Sequence, residues 1–154
     1  MKERDLMRNQ LDRKIIKFKN LKDLVIPPTG WVYPIRKALN ISLRQLGTRM
    51  GITAQSVKEI ETREKNASIS IGVLRQVGKA LNMKFVYGFI PQDDTLEKML
   101  EKQAREVARK IVQRTSVTMD LEAQGTSNAN IQSAIEEKTK ELLSNIPRYL
   151  WDLN

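Results

Sequence analysis

Residues 43–60 read LRQLGTRMGITAQSVKEI, and their pattern predicts two short helices joined by a tight turn. Gly51 stands where a left-handed residue ends the first helix at little cost. Gly47 is expected where the two helices cross, with room for no side chain larger than a methyl group. Thr53 supplies a hydroxyl N-cap for the second helix. The apolar residues are spaced to meet in one small core: Leu46, Met50, Ile52, Val57 and Ile60.

Seven constrained positions of this stretch fall in register with a known pattern: Leu46, Gly47, Met50, Gly51, Ile52, Val57 and Ile60. Continued by Ile60-Glu61, the pattern resembles the Cro/repressor (Xre) family of DNA-binding helix-turn-helix domains. That family often has Gln at the start of the first helix, where it touches a phosphate, and here that place is Leu43. The resemblance implies a repressor-like regulator whose partner is double-stranded operator DNA.

Composition narrows the class of protein. The 154 residues include no Cys and no His, which excludes disulfides, the usual zinc ligand sets and catalytic His or Cys. With no phosphate-binding Gly loop either, we expect no enzyme, no metal and no cofactor. The longest apolar run, 85–90, is far shorter than the ~20 residues of a spanning helix. The N-terminus lacks the apolar stretch of a signal peptide. We therefore expect a soluble, cytoplasmic bacterial protein, associated with the nucleoid when bound to DNA.

The net charge of +9 is concentrated at one end of the chain. Residues 1–50 hold 12 Lys and Arg against 4 Asp and Glu, whereas residues 101–154 hold 8 of each. A basic N-terminal part suits a polyanion, and a balanced C-terminal part suits a protein partner. The alternative is that Lys-rich helices only keep the chain soluble. The helix-turn-helix pattern favours nucleic acid.

Three segments are predicted. Residues 1–30 form a basic N-terminal helix, over about 6–20, and a linker marked by Pro27, Pro28 and Gly30. That helix could lie along the DNA backbone or dock on a second copy of the chain. Residues 31–91 form the DNA-binding domain, and residues 92–154 form a helical extension. The extension consists of one long helix to about 123 and a last helix carrying Ile131, Ala134, Ile135, Leu142 and Leu143.

The predicted fold class is mainly all-α, with five short helices in the DNA-binding domain and one short β-strand. Trp31, Ile35 and Leu39 are spaced by four and are expected on one helical face. A Ser near 68–70 is expected to open the helix that carries Val73 and Val77. Residues 84–90, KFVYGFI, are predicted to form the strand. An unpaired strand favours pairing with its symmetry mate, which predicts a homodimer, or with a short strand of the N-terminal segment.

In a helix-turn-helix, the N-terminal residues of the second helix reach the base edges. The residues expected to read bases are Ala54, Gln55 and Glu59. The residues expected to hold phosphates are Arg44, Thr53, Ser56, Arg63 and Lys65. For Gln55, Arg63 and Lys65, the alternative is an ordinary solvated polar residue. Glu59, as an anion near phosphates, otherwise points away from the DNA.

Further positions resemble a narrower family, mobile mystery protein A: Gly30-Trp31, Ile35-Arg36, Phe85-Val86-Tyr87 and residues 119–124, MDLEAQ. This resemblance implies an antitoxin, encoded beside a Fic-domain toxin that transfers AMP from ATP to target proteins. Inhibitors of that kind share Ser or Thr, three residues, Glu, then Gly or Asn. Thr118 and Glu122 match the spacing of this motif. Ala123 stands where the motif has Gly or Asn. The implied function is a DNA-binding antitoxin that represses its own operon. The alternative is a stand-alone regulator whose C-terminal helices only dimerise.

Overall fold

The computed structural model describes residues 2–123 and 128–153, with side chains described for residues 3–115 and 128–153. The described residues form seven α-helices and two short 3₁₀ helices, and none of them lies in a β-strand. The elements are α1 (Lys2–Ile15), a 3₁₀ helix (Ile16–Leu21), α2 (Val32–Ala38), α3 (Leu43–Met50), α4 (Ala54–Lys65), α5 (Ile71–Ala80), α6 (Leu96–Ala123), α7 (Asn128–Asn145) and a 3₁₀ helix (Arg148–Trp151). They divide into two compact units: residues 23–87, and residues 1–22 together with 88–154.

Hydroxyl caps fix where three helices of the unit 23–87 begin. Ser42, Thr53 and Ser70 precede α3, α4 and α5, and each side-chain oxygen accepts the backbone N–H of the residue three positions on. Such a cap satisfies a donor that has no partner within the helix. The predictions that Thr53 is an N-cap and that a Ser near 68–70 opens the next helix are therefore confirmed.

The core of this unit is made by side chains from α2 to α5. Its buried members are Val32, Leu46, Val57, Ile60 and Val77, with Met50 and Ile52 packed against them. The apolar spacing in residues 43–60 thus predicted the core correctly. Trp31 and Leu39, predicted on one helical face with Ile35, flank α2 and are 39% and 55% exposed. The buried residues of α2 are Val32 and Arg36, since the Arg36 side chain finds a carboxylate partner inside.

The segment after α5 corrects two further predictions. Residues 23–87 contain four helices rather than five. Residues 84–90 adopt no regular secondary structure, so the predicted strand is wrong. Val86, Tyr87 and Phe89 are exposed there. A β-strand needs a neighbouring strand for its N–H and C=O groups, and the described part of the chain offers none.

The unit of residues 1–22 and 88–154 is organised around α6 and α7. Its buried core contains Leu100, Ala104, Ala108, Ile135, Leu142 and Leu150. Ala104 and Ala108 of α6 are fully buried within this core. No described helix has an apolar stretch long enough to cross a membrane.

Helix α1 is attached to the beginning of α6. The Asp12 carboxylate accepts the backbone N–H groups of Leu96, at 2.7 Å, and of Glu97, at 3.2 Å. Arg8 Nε donates to Glu97 Oε2 at 2.6 Å. A carboxylate at a helix N-terminus accepts hydrogen bonds from unpaired N–H groups and interacts favourably with the helix dipole. The predicted N-terminal helix is therefore present, and one face of it is held by α6.

Candidate nucleic-acid interface

Two glycines shape the turn between α3 and α4. Gly51 has φ +72° and ends α3 in the left-handed conformation, as predicted. A Cβ on Gly47 would lie 2.6 Å from the Ile52 carbonyl oxygen. Even a methyl group is therefore too large at position 47, which corrects the expectation that a methyl would fit. The constraint comes from the backbone of the turn, which approaches α3 closely.

The first turn of α4 is held by hydroxyl groups. Thr53 Oγ1 accepts the N–H of Ser56 at 3.1 Å, and its own hydroxyl donates to Ser56 Oγ at 2.9 Å. The two hydroxyls predicted to contact phosphates are thus engaged with each other. The N–H groups of Ala54 and Gln55 have no acceptor within the helix and remain the first-turn donors for a phosphate oxygen.

Helix α4 has an inward face and an open face. Val57, Ile60 and Glu61 are buried. Gln55 and Glu59 are exposed and lie four residues apart, about 180° around the helix from that buried face. Ala54 is half-buried beside the turn. The structure thus brings two of the three predicted base-reading side chains together on one solvent-exposed surface.

The predicted phosphate contacts are spread over two helices. Arg44 is exposed on α3, and Arg63 and Lys65 are exposed near the end of α4. Lys65 also lines a shallow groove with Lys58, Tyr33 and Thr62. Lys58 was missed by the sequence reasoning, although its position three residues after Gln55 places it near the open face of the same helix.

One comparison with known proteins bears on this surface. Residues 35–87 match the family model described as Helix-turn-helix. The match supports a helix-turn-helix domain of the Cro/repressor type over these residues. The match includes α3, α4 and α5 and supports DNA binding. It gives no support to the narrower resemblance to mobile mystery protein A. Neither a curated protein nor a solved structure matches the chain.

A buried ion pair fixes α4 within the helix-turn-helix domain. Arg36 Nε lies 2.6 Å from Glu61 Oε2, and Arg36 Nη2 lies 3.0 Å from Glu61 Oε1. Arg36 Nη1 also donates to the Ile41 carbonyl at 2.9 Å. The hydrogen bonds that Arg36 donates to Glu61 raise the pKa of Arg36. The pair joins α2, α4 and the loop before α3, and the apolar spacing gave no indication of it.

A second carboxylate of α4 caps α2 in the same domain. Glu64 Oε2 accepts the N–H of Trp31 at 2.8 Å, and Glu64 Oε1 accepts the N–H of Val32 at 2.9 Å. Gly30, with φ +80°, lets the chain pass close to this side chain, because a Cβ there would lie 2.6 Å from Glu64 Oε1. Glu61 and Glu64 together hold the inner side of α4 while its outer side stays open.

The predicted toxin-inhibiting residues, Thr118 and Glu122, lie outside the residues whose side chains the structure describes. The backbone at both positions belongs to α6.

In the described part of the chain, no group of acidic residues is placed to hold a metal ion.

Proposed function

We propose that this protein is a sequence-specific DNA-binding regulator of transcription that reads the major groove with the first turns of α4. The observation that supports this most directly is the two-sided character of α4 in a helix-turn-helix domain. Its inner side is fixed by Val57, Ile60 and Glu61, and its outer side presents Gln55 and Glu59. Base readout requires exposed polar side chains on a helix that is held in a fixed orientation.

The chemistry of these side chains suggests which of them contact bases and which contact phosphates. A Gln amide has a donor and an acceptor that match the N6 and N7 edge of adenine, and a carboxylate accepts from the amino group of cytosine. We therefore assign base readout to Gln55 and Glu59, with Ala54 against a thymine methyl group. Arg44, Arg63 and Lys65 hold the phosphates and fix the register without reading sequence.

We further propose that the regulator binds as a homodimer. One domain of this kind presents few base-reading side chains, so specific binding calls for two half-sites about one helical turn apart. The selected DNA sites are then expected to be palindromic. A single, non-repeated half-site with full affinity would contradict the dimer and leave the DNA-binding proposal standing.

Selection of duplexes from a random library, followed by measurement of Kd on selected and scrambled DNA, tests the main proposal. Gln55→Ala should lose about 1–3 kcal/mol of discrimination at one base pair of each half-site. Gln132→Ala is the matched control, because Gln132 is an exposed amide on α7, outside the helix-turn-helix domain. If the wild-type protein binds selected and scrambled duplexes equally well, the proposal is wrong.

We propose a more specific function as well: the regulator is an antitoxin that inhibits a Fic-domain toxin. Two observations support it: the resemblance to mobile mystery protein A, and the placement of Thr118 and Glu122 four residues apart in one helix. The inhibitory carboxylate would bind a toxin Arg that otherwise holds the ATP γ-phosphate. The alternative is a stand-alone regulator whose C-terminal helices only dimerise.

Copurification with a Fic-domain protein separates these two functions, because only the antitoxin forms that complex. Glu122→Ala should then release AMP transfer by the toxin while Kd for DNA is unchanged. Glu137→Ala is the matched control, since Ser133 and Glu137 repeat the spacing on α7. Full inhibition by Glu122→Ala would refute the assignment of that residue.

A further inference from the structure

The end of α1 and the 3₁₀ helix after it carry an unusual concentration of positive charge. Residues 13–22 contain five Lys and Arg and no Asp or Glu. Two neighbouring cations, one before and one at the end of this stretch, hold the segment in place. Arg8 bonds to Asp5 and Glu97, and Lys22 donates to the Gln92 carbonyl at 2.6 Å and to Asp94 at 3.3 Å. The segment is therefore fixed by its own ion pairs.

Three other cations of the segment are not used in this way. Arg13, Lys14 and Lys17 are exposed, and none of them finds a hydrogen-bonding or ion-pair partner among the residues that the structure describes. Arg8 and Asp12 are four residues apart and face α6. Arg13 and Lys17 are also four apart, and the helical period turns them away from that face. We refer to Arg13, Lys14 and Lys17 as the basic face.

Several cations on α6 and α7 lie beside carboxylates. Four of them form ion pairs: Lys102 with Asp93, Arg105 with Glu136, Arg109 with Glu106, and Lys138 with Glu141. Paired cations contribute little to a surface field, whereas unpaired ones of a single sign add. The basic face groups three cations without an ion pair among the described residues, in a stretch, 13–22, that contains no Asp or Glu.

We propose that the basic face is a second DNA-binding surface, which binds the phosphate backbone of duplex DNA and reads no sequence. The inference rests on the proposed function. A polyanion fits the basic face, because Lys and Arg that neutralise phosphates release condensed counterions. A second copy of α1 does not fit it, because the same cations would then face one another. The helix is held by Asp12 before it binds, so little ordering entropy opposes the contact.

The salt dependence of binding tests this directly. Kd for a scrambled duplex is measured by fluorescence anisotropy over a series of KCl concentrations, for the full chain and for Arg13→Gln/Lys14→Gln/Lys17→Gln. Each lost phosphate contact reduces the magnitude of the negative slope of log K against log salt by about 0.9. The slope of the triple variant should therefore be shallower than that of the wild type by about 2 to 3. Selected and scrambled duplexes should lose affinity by the same factor.

A second triple variant controls for net charge. Lys110→Gln/Lys140→Gln/Arg148→Gln removes one Arg and two Lys from exposed positions of the same unit. It should keep nearly the wild-type slope. Equal slopes for the two triple variants would overturn the basic face as a DNA surface. So would a change of oligomeric state, seen by analytical ultracentrifugation, in the basic-face variant at unchanged slope.

The outcome is separable from that of the proposed function. The slope is measured on scrambled DNA, which needs no base readout. Discrimination between selected and scrambled DNA by the wild-type protein decides the proposed function. Normal discrimination with equal slopes refutes the basic face alone.

Discussion

Arg36 and Glu61 form a bidentate, buried ion pair that joins α2 to the inner side of α4, with Arg36 Nε 2.6 Å from Glu61 Oε2. A third donor of the same guanidinium is taken by the Ile41 carbonyl. All the polar atoms of this pair therefore act within one network. We expect the orientation of α4, the helix proposed to read DNA, to depend on this pair.

Removal of one partner should destabilise the helix-turn-helix domain strongly. Glu61→Leu leaves the Arg36 charge buried without a counter-ion, which typically costs about 3–5 kcal/mol. Urea denaturation followed by Trp31 fluorescence, in a Trp151→Phe background, measures the free energy of unfolding of this domain. The double variant Arg36→Met/Glu61→Leu should recover most of the loss, because both charges are removed together.

Arg109→Met is the control for the ion-pair experiment. Arg109 pairs with Glu106 on the surface of α6, and such exposed pairs contribute about 0–1 kcal/mol. The Arg109→Met loss is measured by Trp151 fluorescence in a Trp31→Phe background, because Arg109 and Trp151 both belong to the unit of residues 1–22 and 88–154. A loss after Glu61→Leu as small as this one would show that the buried pair does not hold α4.

Gly47→Ala should destabilise the same domain by about 1–3 kcal/mol, as overpacking does. The new methyl group meets the backbone oxygen of Ile52, which cannot rotate away as a flexible side chain could. Gly72→Ala is the matched control, since its Cβ would meet only Ser70 Oγ at 3.9 Å. That substitution should raise stability by about 0.4–1 kcal/mol through the unfolded state. Equal urea midpoints for the two variants would contradict the close approach at Gly47.

Arg44→Ala should weaken binding to every duplex by the same factor. The exposed guanidinium on α3 is assigned to a phosphate, so its loss should also reduce the salt slope by about 1. Fluorescence anisotropy on selected and scrambled DNA measures both effects. A loss confined to selected DNA would reassign Arg44 to base readout.

Acid should weaken the contact between α6 and α7. The hydrogen bond from Arg105 lowers the pKa of Glu136 from its ordinary value of 4.5, so the folded state favours the ionised carboxylate. A lowered pKa contributes stability that is present above pH 4.5 and is lost as the pH falls through the lowered pKa. The urea midpoint of the wild-type protein should exceed that of Glu136→Gln at pH 7, and the difference should shrink in acid.

Trp151 fluorescence, in a Trp31→Phe background, follows the acid transition. In an Arg105→Gln background, Glu136→Gln should change the urea midpoint equally at pH 7 and in acid. A pH-dependent difference that persists without Arg105 would assign the effect to another group.

Local signals in the sequence predicted local structure well. Gly51 and Thr53 act on the residues beside them, so the ends of α3 and α4 follow from the sequence. The periodic apolar residues Leu46, Val57 and Ile60 predicted the core for the same reason. Periodicity describes one helix at a time, and this is the level at which it succeeds.

Contacts between distant residues were not predictable in this way. Arg36 lies inside only because Glu61, 25 residues later, lies opposite it. Residues 84–90 have the composition of a strand, and composition cannot supply the neighbouring strand that they lack. The contact between Asp12 and the start of α6 spans 84 residues of sequence, so the pattern of the N-terminal helix alone could not predict it.

The attachment of Asp12 to the start of α6 also sets an order of events during synthesis on the ribosome. Helix α1 is made first, yet its partner N–H groups at Leu96 and Glu97 emerge only after the whole of residues 23–87 has been translated. The unit of residues 1–22 and 88–154 is therefore discontinuous in sequence, and a fragment that starts at residue 88 lacks the carboxylate that caps the beginning of α6. Addition of residues 1–22 as a separate peptide should restore the Asp12 cap of α6.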